Sequence, residues 1–252
     1  MKKFGICAAY NNGATLVDIA VNKRYKIEFI ATYSKDNPEE VERIRELAES
    51  NNINYLHKVD VNSEEFIGFL RDTGVELVFL CWWPQIIRKQ ALYSVREGWV
   101  NLHPSLLPFG RGKHAYFWSI VEGYQFGVSI HFIDEGIDTG PVLFQKIIPV
   151  DFGDTGEVLY NKGVAGSIQI FDEKFVDIVK GRYTAIPQNL KEGTSRFSGE
   201  IDEITNINPS TSYKALDLIT LLRARSFENG PSCLIKLDGK KYWLRLKVEE
   251  VK

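Results

Sequence analysis

The sequence predicts an α/β fold, a mostly parallel sheet covered by helices, followed by a small C-terminal unit of one helix and a β-hairpin. Three observations carry that expectation. Through the first half, short apolar runs alternate with amphipathic helical patterns, the order that parallel strands with right-handed crossovers require. Near residue 190 the composition turns to Gly, Pro, Ser and Asn without periodicity. Beyond it, "CLIKLDGKKYWLRLKVEEV" sets Asp238-Gly239 between two alternating runs, a strong short-range hairpin signal. Residues 1–190 are therefore expected to form one domain, and residues 191–252 a linker with a helix-hairpin subdomain.

The elements follow in order. "KKFGICAAY" is a strand, "GATLVDIAVNK" a helix and "KIEFIATYS" a second strand. "NPEEVERIRELAES" is a helix with Asn37 as its N-cap and Pro38 at its first position. A short strand in "INYLHKV" precedes the helix "NSEEFIGFLRDTG", begun at Asn62 and stopped at Gly74, and then the buried strand "VELVFLCWW". The turn in "AAYNNGATL" has a lone glycine, and neither GxGxxG nor GxxxxGK[ST] occurs, so it reads as a connection rather than a phosphate grip. Later come the helix "HAYFWSIVEGY", the alternating strand "FGVSIHFID", the loop "EGIDTG" and the strand "PVLFQKIIPV". One long helix is expected in "TGEVLYNKGVAGSIQIFDEKFVDIVKG", then a surface linker, then the helix "SYKALDLITLLRARSF".

The totals narrow the classes. At 252 residues, 44% hydrophobic and 25% charged, the chain has the composition of a soluble globular protein. Its apolar runs are too short to cross a bilayer and its N-terminus lacks a cleavage site, so neither membrane insertion nor a signal peptide is expected. Cys7, Cys81 and Cys233 stand far apart without metal spacing, which suits a reduced cytoplasm and predicts no bound metal. A net charge of −2 without a basic block argues against a nucleic-acid partner.

Chemistry concentrates in two stretches. In "NLHPSLLPFGRGKHA", Asn101 and His103 are i and i+2 on a strand end and so point the same way. Pro104 and Pro108 then forbid a helix and stiffen the exit loop. In "DEGIDTGPVL", Asp134, Gly136, Asp138, Thr139 and Gly140 form a tight loop whose backbone can approach a flat ligand. A carboxylate beside an imidazole sets its tautomer and basicity, and an amide can donate to a developing oxyanion. Without a serine elbow or cysteine nucleophile, such a set suits direct attack by a substrate's own nucleophile on a carbonyl. Taken singly, Asp134 and Asp138 also read as turn residues, His57 and His131 as structural histidines, and His114 as open to either role.

"NLHPSLLPFGRG" followed by "DEGIDTGPVLFQ" resembles the formyltransferase family that uses 10-formyltetrahydrofolate, over roughly residues 1–180. The shared pattern is N-x-H-P-S-L-L-P, then D-x-G-x-D-T-G. The resemblance implies a Rossmann-like formyltransferase fold with a catalytic domain over residues 1–190. It implies Asn101, His103 and Asp138 as the catalytic set. It places the folate along Gln85, Ile86, Ile87 and Leu92 and against Asp134, Glu135 and Gly136.

Length and tail choose the acceptor. The tail is too short for a tRNA-binding barrel, and it is similar to the short tails of nucleotide-sugar N-formyltransferases. The implied acceptor is an amino-dideoxy sugar, a 4-amino-4,6-dideoxyhexose on dTDP or UDP, used for surface polysaccharide such as lipopolysaccharide O-antigen. Enzymes like methionyl-tRNA formyltransferase or glycinamide ribonucleotide transformylase, and a folate-binding accessory without turnover, are the alternatives. Lys113, His114, Arg223 and Arg225 are candidates for the acceptor. Arg223 and Arg225 are two apart on a helix, so one is expected to meet a pyrophosphate and the other to face solvent. Tyr242 and Trp243 are expected to pack the hairpin or form a homodimer face.

Overall fold

The runs Phe4–Ala8 and Leu77–Cys81 are buried at every position. Continuous burial of an apolar strand places it inside a parallel sheet with both faces covered. The computed structural model describes residues 2–33 and 37–251; Ser34, the last residue of the expected second strand, lies outside them. In chain order its elements are β1 (Phe4–Ala8), α1 (Tyr10–Asn22), β2 (Ile27–Tyr33), α2 (Pro38–Ser50), β3 (Asn54–Val59), α3 (Glu64–Thr73) and β4 (Leu77–Cys81). There follow α4 (Lys89–Leu92), β5 (Gly98–His103), β6 (Arg111–Gly112), α5 (Ala115–Glu122), β7 (Gly127–Phe132), β8 (Val142–Ile147) and α6 (Gly156–Val179). The last are β9 (Ser195–Arg196), α7 (Glu200–Thr205), β10 (Asn206–Ile207), α8 (Ala215–Ala224), β11 (Cys233–Leu237) and β12 (Lys240–Leu244).

The seven-stranded sheet has the order β3-β2-β1-β4-β5-β7-β8. Pairing is parallel from β3 through β5, and β7 runs antiparallel to β5. Local signals end the helices as their residues dictate. Asn37 accepts from the Glu39 N–H at 3.1 Å with Pro38 next to it, and Gly74 closes α3 in the left-handed region at φ 63°. One start differs from expectation. Ser63, not Asn62, caps α3, its hydroxyl accepting from Phe66 N–H at 3.2 Å. Asn62 is engaged elsewhere: its amide donates to the Ile86 carbonyl at 3.0 Å and accepts from Arg88 N–H at 2.7 Å.

The chain divides into two compact units. The first comprises Met1–His103, Ser129–Gln145 and Ser167–Gln188. Its core includes Phe29, Phe66, Leu80, Trp83, Ile87, Leu92 and Trp99. Trp99 is fully buried, with its indole N–H on the Ala91 carbonyl at 3.1 Å.

The second unit comprises Pro104–Val128, Lys146–Gly166 and Asn189–Lys252. Here α5 packs on α8, and the Asp238-Gly239 turn has φ 48° and 75°, as a two-residue hairpin demands. The hairpin β11–β12 gains a third strand, because β10 pairs parallel to β11. The stretch expected to be a plain linker thus contains β9, α7 and β10. Among the described residues, no helix is long and apolar enough to cross a membrane.

Candidate active site at the end of strand β5

Strand β5 carries Asn101 and His103 to one face, and its antiparallel partner supplies the rest of that face. The β5–β7 register sets Asn101 opposite His131 and His103 opposite Ser129. Residues directly opposite in such a pair share a face with their side chains adjacent. The Asn101 amide nitrogen lies 3.3 Å from His131 Nε2. His131 Nδ1 lies 2.7 Å from the Phe132 carbonyl oxygen. His103 is 7% exposed and His131 1% exposed, so both imidazoles sit in a dry environment.

The loop after β7 brings Asp138 to both rings. Its carboxylate oxygens lie 3.5 Å from His103 Nδ1 and 3.7 Å from His131 Nε2. Asp138 has φ 53°, an uncommon left-handed conformation for a residue with a side chain. Its neighbours enforce that conformation. Gln188 donates to the carbonyls of Asp138 and Gly140 at 2.9 and 2.7 Å. A Cβ at Gly140 would fall 2.0 Å from the Phe132 carbonyl oxygen, so only glycine permits the crossing. Asp134 does different work: it accepts from Gly136 N–H at 3.0 Å and from the Thr139 hydroxyl at 2.5 Å, closing the loop on itself. Burial pushes the His131 imidazole down to about 4 and adjacent His103 adds to the effect, while the Asp138 and Asp134 carboxylates and the Phe132 carbonyl oxygen oppose it.

Asn101, His103 and Asp138, the set that the resemblance implies, lie in one cluster. His131, expected to be structural, lies in the same cluster, and Gln188, near the end of the expected catalytic domain, straps the loop. His57 is exposed and pairs with the Tyr55 hydroxyl at 3.2 Å.

The residues considered for folate fall in two groups of the same unit. Ile87 and Leu92 are 5% and 7% exposed and belong to the core, whereas Ile86 is 73% exposed. The Gln85 amide is engaged, accepting from Val61 N–H at 3.2 Å and donating to Asp60 at 2.9 Å. Glu135 accepts from the Tyr93 hydroxyl at 2.8 Å and pairs with Lys89 at 3.1 Å, and these contacts hold its carboxyl below the usual range. Among the described residues, no three His, Cys, Asp or Glu side chains are placed to hold a metal ion.

Residues 8–173 match the formyl transferase family model, and residues 200–250 match the N-formyltransferase dimerization C-terminal domain. The chain belongs to the formyl transferase family. A GDP-perosamine N-formyltransferase from Brucella melitensis is 31% identical over 73% of this chain and 69% of that relative. A methionyl-tRNA formyltransferase from Agathobacter rectalis is 29% identical over 79% of this chain and 63% of that relative. Among solved structures, a 4-N formyltransferase from Francisella tularensis shares the fold at a TM-score of 0.83 and 20% identity, over 99% of both chains. A formyltransferase from Anoxybacillus kamchatkensis, solved with UDP-4,6-dideoxy-4-formamido-L-AltNAc and tetrahydrofolate, shares it at 0.62 and 20% identity, over 87% of this chain and 98% of the other.

The formyltransferase's second unit holds the residues considered for the acceptor, and it corrects the expectation that one of the two arginines faces solvent. Neither Arg223 nor Arg225 faces solvent; they are 7% and 6% exposed. Arg223 Nη1 donates to the carbonyls of Asp151, Phe152 and Asp154 at 3.0, 2.9 and 3.1 Å, with the guanidinium 5.2 Å from the Phe152 ring centre. Arg225 pairs with Asp202 at 3.0 Å. Lys113 is exposed, and its N–H donates to the Arg196 carbonyl at 3.0 Å. His114 starts α5 at φ 60°, 3.3 Å from the Tyr116 hydroxyl. Burial, then Arg225 and Lys113, hold its imidazole below the usual range against the pull of Asp202.

Proposed function

We propose that this formyltransferase transfers a formyl group to the amine of a nucleotide-linked amino-dideoxy sugar. The observation that carries the chemistry is the Asn101, His103 and Asp138 cluster, within the stretch that matches the family. The acceptor reading rests on the match of residues 200–250 to the N-formyltransferase C-terminal domain and on the Brucella relative. A net charge of −2 agrees with it, because tRNA binding depends on neutralising many phosphates.

10-Formyltetrahydrofolate, as donor, supplies the formyl carbon. The acceptor amine bonds to that carbon, the bond to the folate nitrogen breaks, and one proton moves from the amine to that nitrogen. The chain's own groups act on charge and protons. Asn101 and protonated His103 donate to the oxyanion that develops on the formyl oxygen. Asp138 holds His103 in place. With the Gln85 amide engaged and Ile87 and Leu92 in the core, exposed Ile86 is the side chain of this segment best placed for the folate. Glu135 and Gly136 frame the opposite loop. In the second unit Lys113 is the cation best suited to a diphosphate, since Arg223 is taken up by carbonyls and His114 is biased to its neutral form.

The reading extends to a homodimer made through the C-terminal unit, residues 191–252, where Tyr242 and Trp243 are 46% and 53% exposed on the hairpin. It extends also to a cytoplasmic enzyme serving surface polysaccharide, with residues 1–190 as the catalytic part. Tetrahydrofolate release is the test, followed over GDP-, dTDP- and UDP-linked 3-amino and 4-amino sugars. Glycinamide ribonucleotide and charged initiator tRNA serve as controls. Turnover of a 4-amino sugar above both controls is expected. Efficient formylation of either control with no sugar turned over would overturn the acceptor.

A further inference from the structure

His131 has no part in the steps above, yet its ring lies against two of the three groups that do. We propose that His131 is a positioning residue. In its neutral Nδ1–H form it accepts a hydrogen bond from Asn101 and fixes which edge of that amide faces the reacting carbonyl. The proposal rests on the formyl-transfer role given to Asn101.

The tautomer follows from the partners. A backbone carbonyl can only accept, so Nδ1, at 2.7 Å from the Phe132 oxygen, carries the proton. In a neutral ring Nε2 then presents a lone pair. The Asn101 amide nitrogen, 3.3 Å away, can only donate, which satisfies that lone pair. Turning the amide over would set its oxygen against Nε2, acceptor against acceptor. His131 thus keeps the NH2 end in place, and the second N–H of that group remains for the oxyanion.

The charged groups around the ring make neutrality a contest. Asp138, 3.7 Å from Nε2, and Asp134 favour the charged form, while His103 from strand β5 disfavours it. Burial of a ring only 1% exposed decides for the neutral form. Were Nε2 protonated, it would donate to Asp138, compete with His103 for that carboxylate, and release Asn101 to rotate. A histidine serving packing alone would need only its Phe132 bond. The alignment with Asn101 is what separates the two roles.

Two experiments on the full-length protein decide between them. His131→Phe keeps a ring and removes the acceptor; His131→Gln keeps an acceptor near the Nε2 position. The Phe variant should lose about 10- to 100-fold in kcat, with KM for donor and acceptor within about twofold. The Gln variant should recover to within about fivefold of wild type. Equal losses in both variants, or wild-type kcat in the Phe variant, would overturn the proposal. Nitrogen-15 NMR of the four histidines in the wild-type protein is the second experiment. It should show one ring, absent from the Gln variant, that stays Nδ1–H down to pH 5. An Nε2–H tautomer, or protonation of that ring near pH 6.5, would also overturn it. The NMR experiment needs no acceptor. A wild-type enzyme that formylates no nucleotide amino sugar would therefore count against the acceptor alone, and the tautomer would still decide His131.

Discussion

Two like-charged pairs, Asp134 with Asp138 in the first unit and Arg223 with Arg225 in the second, meet different fates. The aspartates are four apart in one loop. Asp134 turns its carboxylate onto the loop's own N–H and hydroxyl groups, while Asp138, in a left-handed conformation, faces two imidazoles. The arginines are two apart at a helix end, and both are buried against carbonyls or an acid. In the loop, the division comes from what lies across the strand end. At the helix end, the carbonyls of the turn Asp151–Asp154 take one guanidinium and Asp202 the other. Charge spacing alone does not tell a site from a scaffold; the partners do.

The sharpest test of that contrast is to remove the two members of the site. His103→Ala and Asp138→Ala should each lower kcat by about 10²- to 10⁴-fold. Donor affinity, read by equilibrium titration, should change by less than about threefold. The double variant should be little worse than either single one, because a pair acting as one unit is not additive. Near-wild-type turnover in either variant would place the chemistry elsewhere.

Arg223 provides the reverse case. Arg223→Met removes the donor that the Asp151, Phe152 and Asp154 carbonyls share and should cost about 2–4 kcal/mol, read as a lower denaturant midpoint. KM for the acceptor should stay within about twofold. An unchanged midpoint with a raised KM would make Arg223 a ligand contact, and the contrast between the two regions would fail.

The sequence carried the sheet and the Asn101–His103 pair because both are written locally: strands alternate with helices, and i, i+2 places two side chains on one face; Asp138 joined them only through the resemblance. His131 was hidden because its role depends on the antiparallel register of β7 against β5, which no local pattern states. The signal was present in principle, since Ser129 and His131 are themselves i and i+2 on the neighbouring strand. Gln188 was hidden for a different reason. It sits in a polar, aperiodic stretch that looks like linker, and only tertiary packing brings it to the Asp138 and Gly140 carbonyls. The arginines misled because spacing on a helix says which way side chains diverge, not what waits at the helix end.

Acid should weaken the first unit through His131. His131 has its folded pKa lowered to about 4 from 6.5, so the unfolded chain binds more protons between those values. The group's contribution to stability is full above pH 6.5 and is lost as pH falls toward 4. Near pH 5 the loss should reach about 2 kcal/mol, at 1.36 kcal/mol per pH unit for one proton. Denaturant midpoints measured from pH 7.5 to 5 should show this slope in wild type and in Arg223→Met. In His131→Gln the slope should be shallower by that amount. An unchanged slope in the Gln variant would mean that another group governs the acid response.

The smallest effect falls on the other aspartate and bears most directly on the contrast. Asp134→Ala removes the bonds to Gly136 N–H and to the Thr139 hydroxyl, both in a loop with partial solvent access. Losing local turn bonds of this kind should cost about 1–2 kcal/mol. The loop keeps its other holds, the Gln188 bonds and the Gly140 crossing, so Asp138 should remain near His103. Turnover should then fall by less than about tenfold, against the 10²- to 10⁴-fold loss expected at Asp138. Asp134→Asn, which keeps an acceptor for the Gly136 N–H, should recover most of the stability. Should Asp134→Ala instead lose as much kcat as Asp138→Ala while its midpoint stays put, Asp134 would itself act on the reaction. The two aspartates would then form one functional pair.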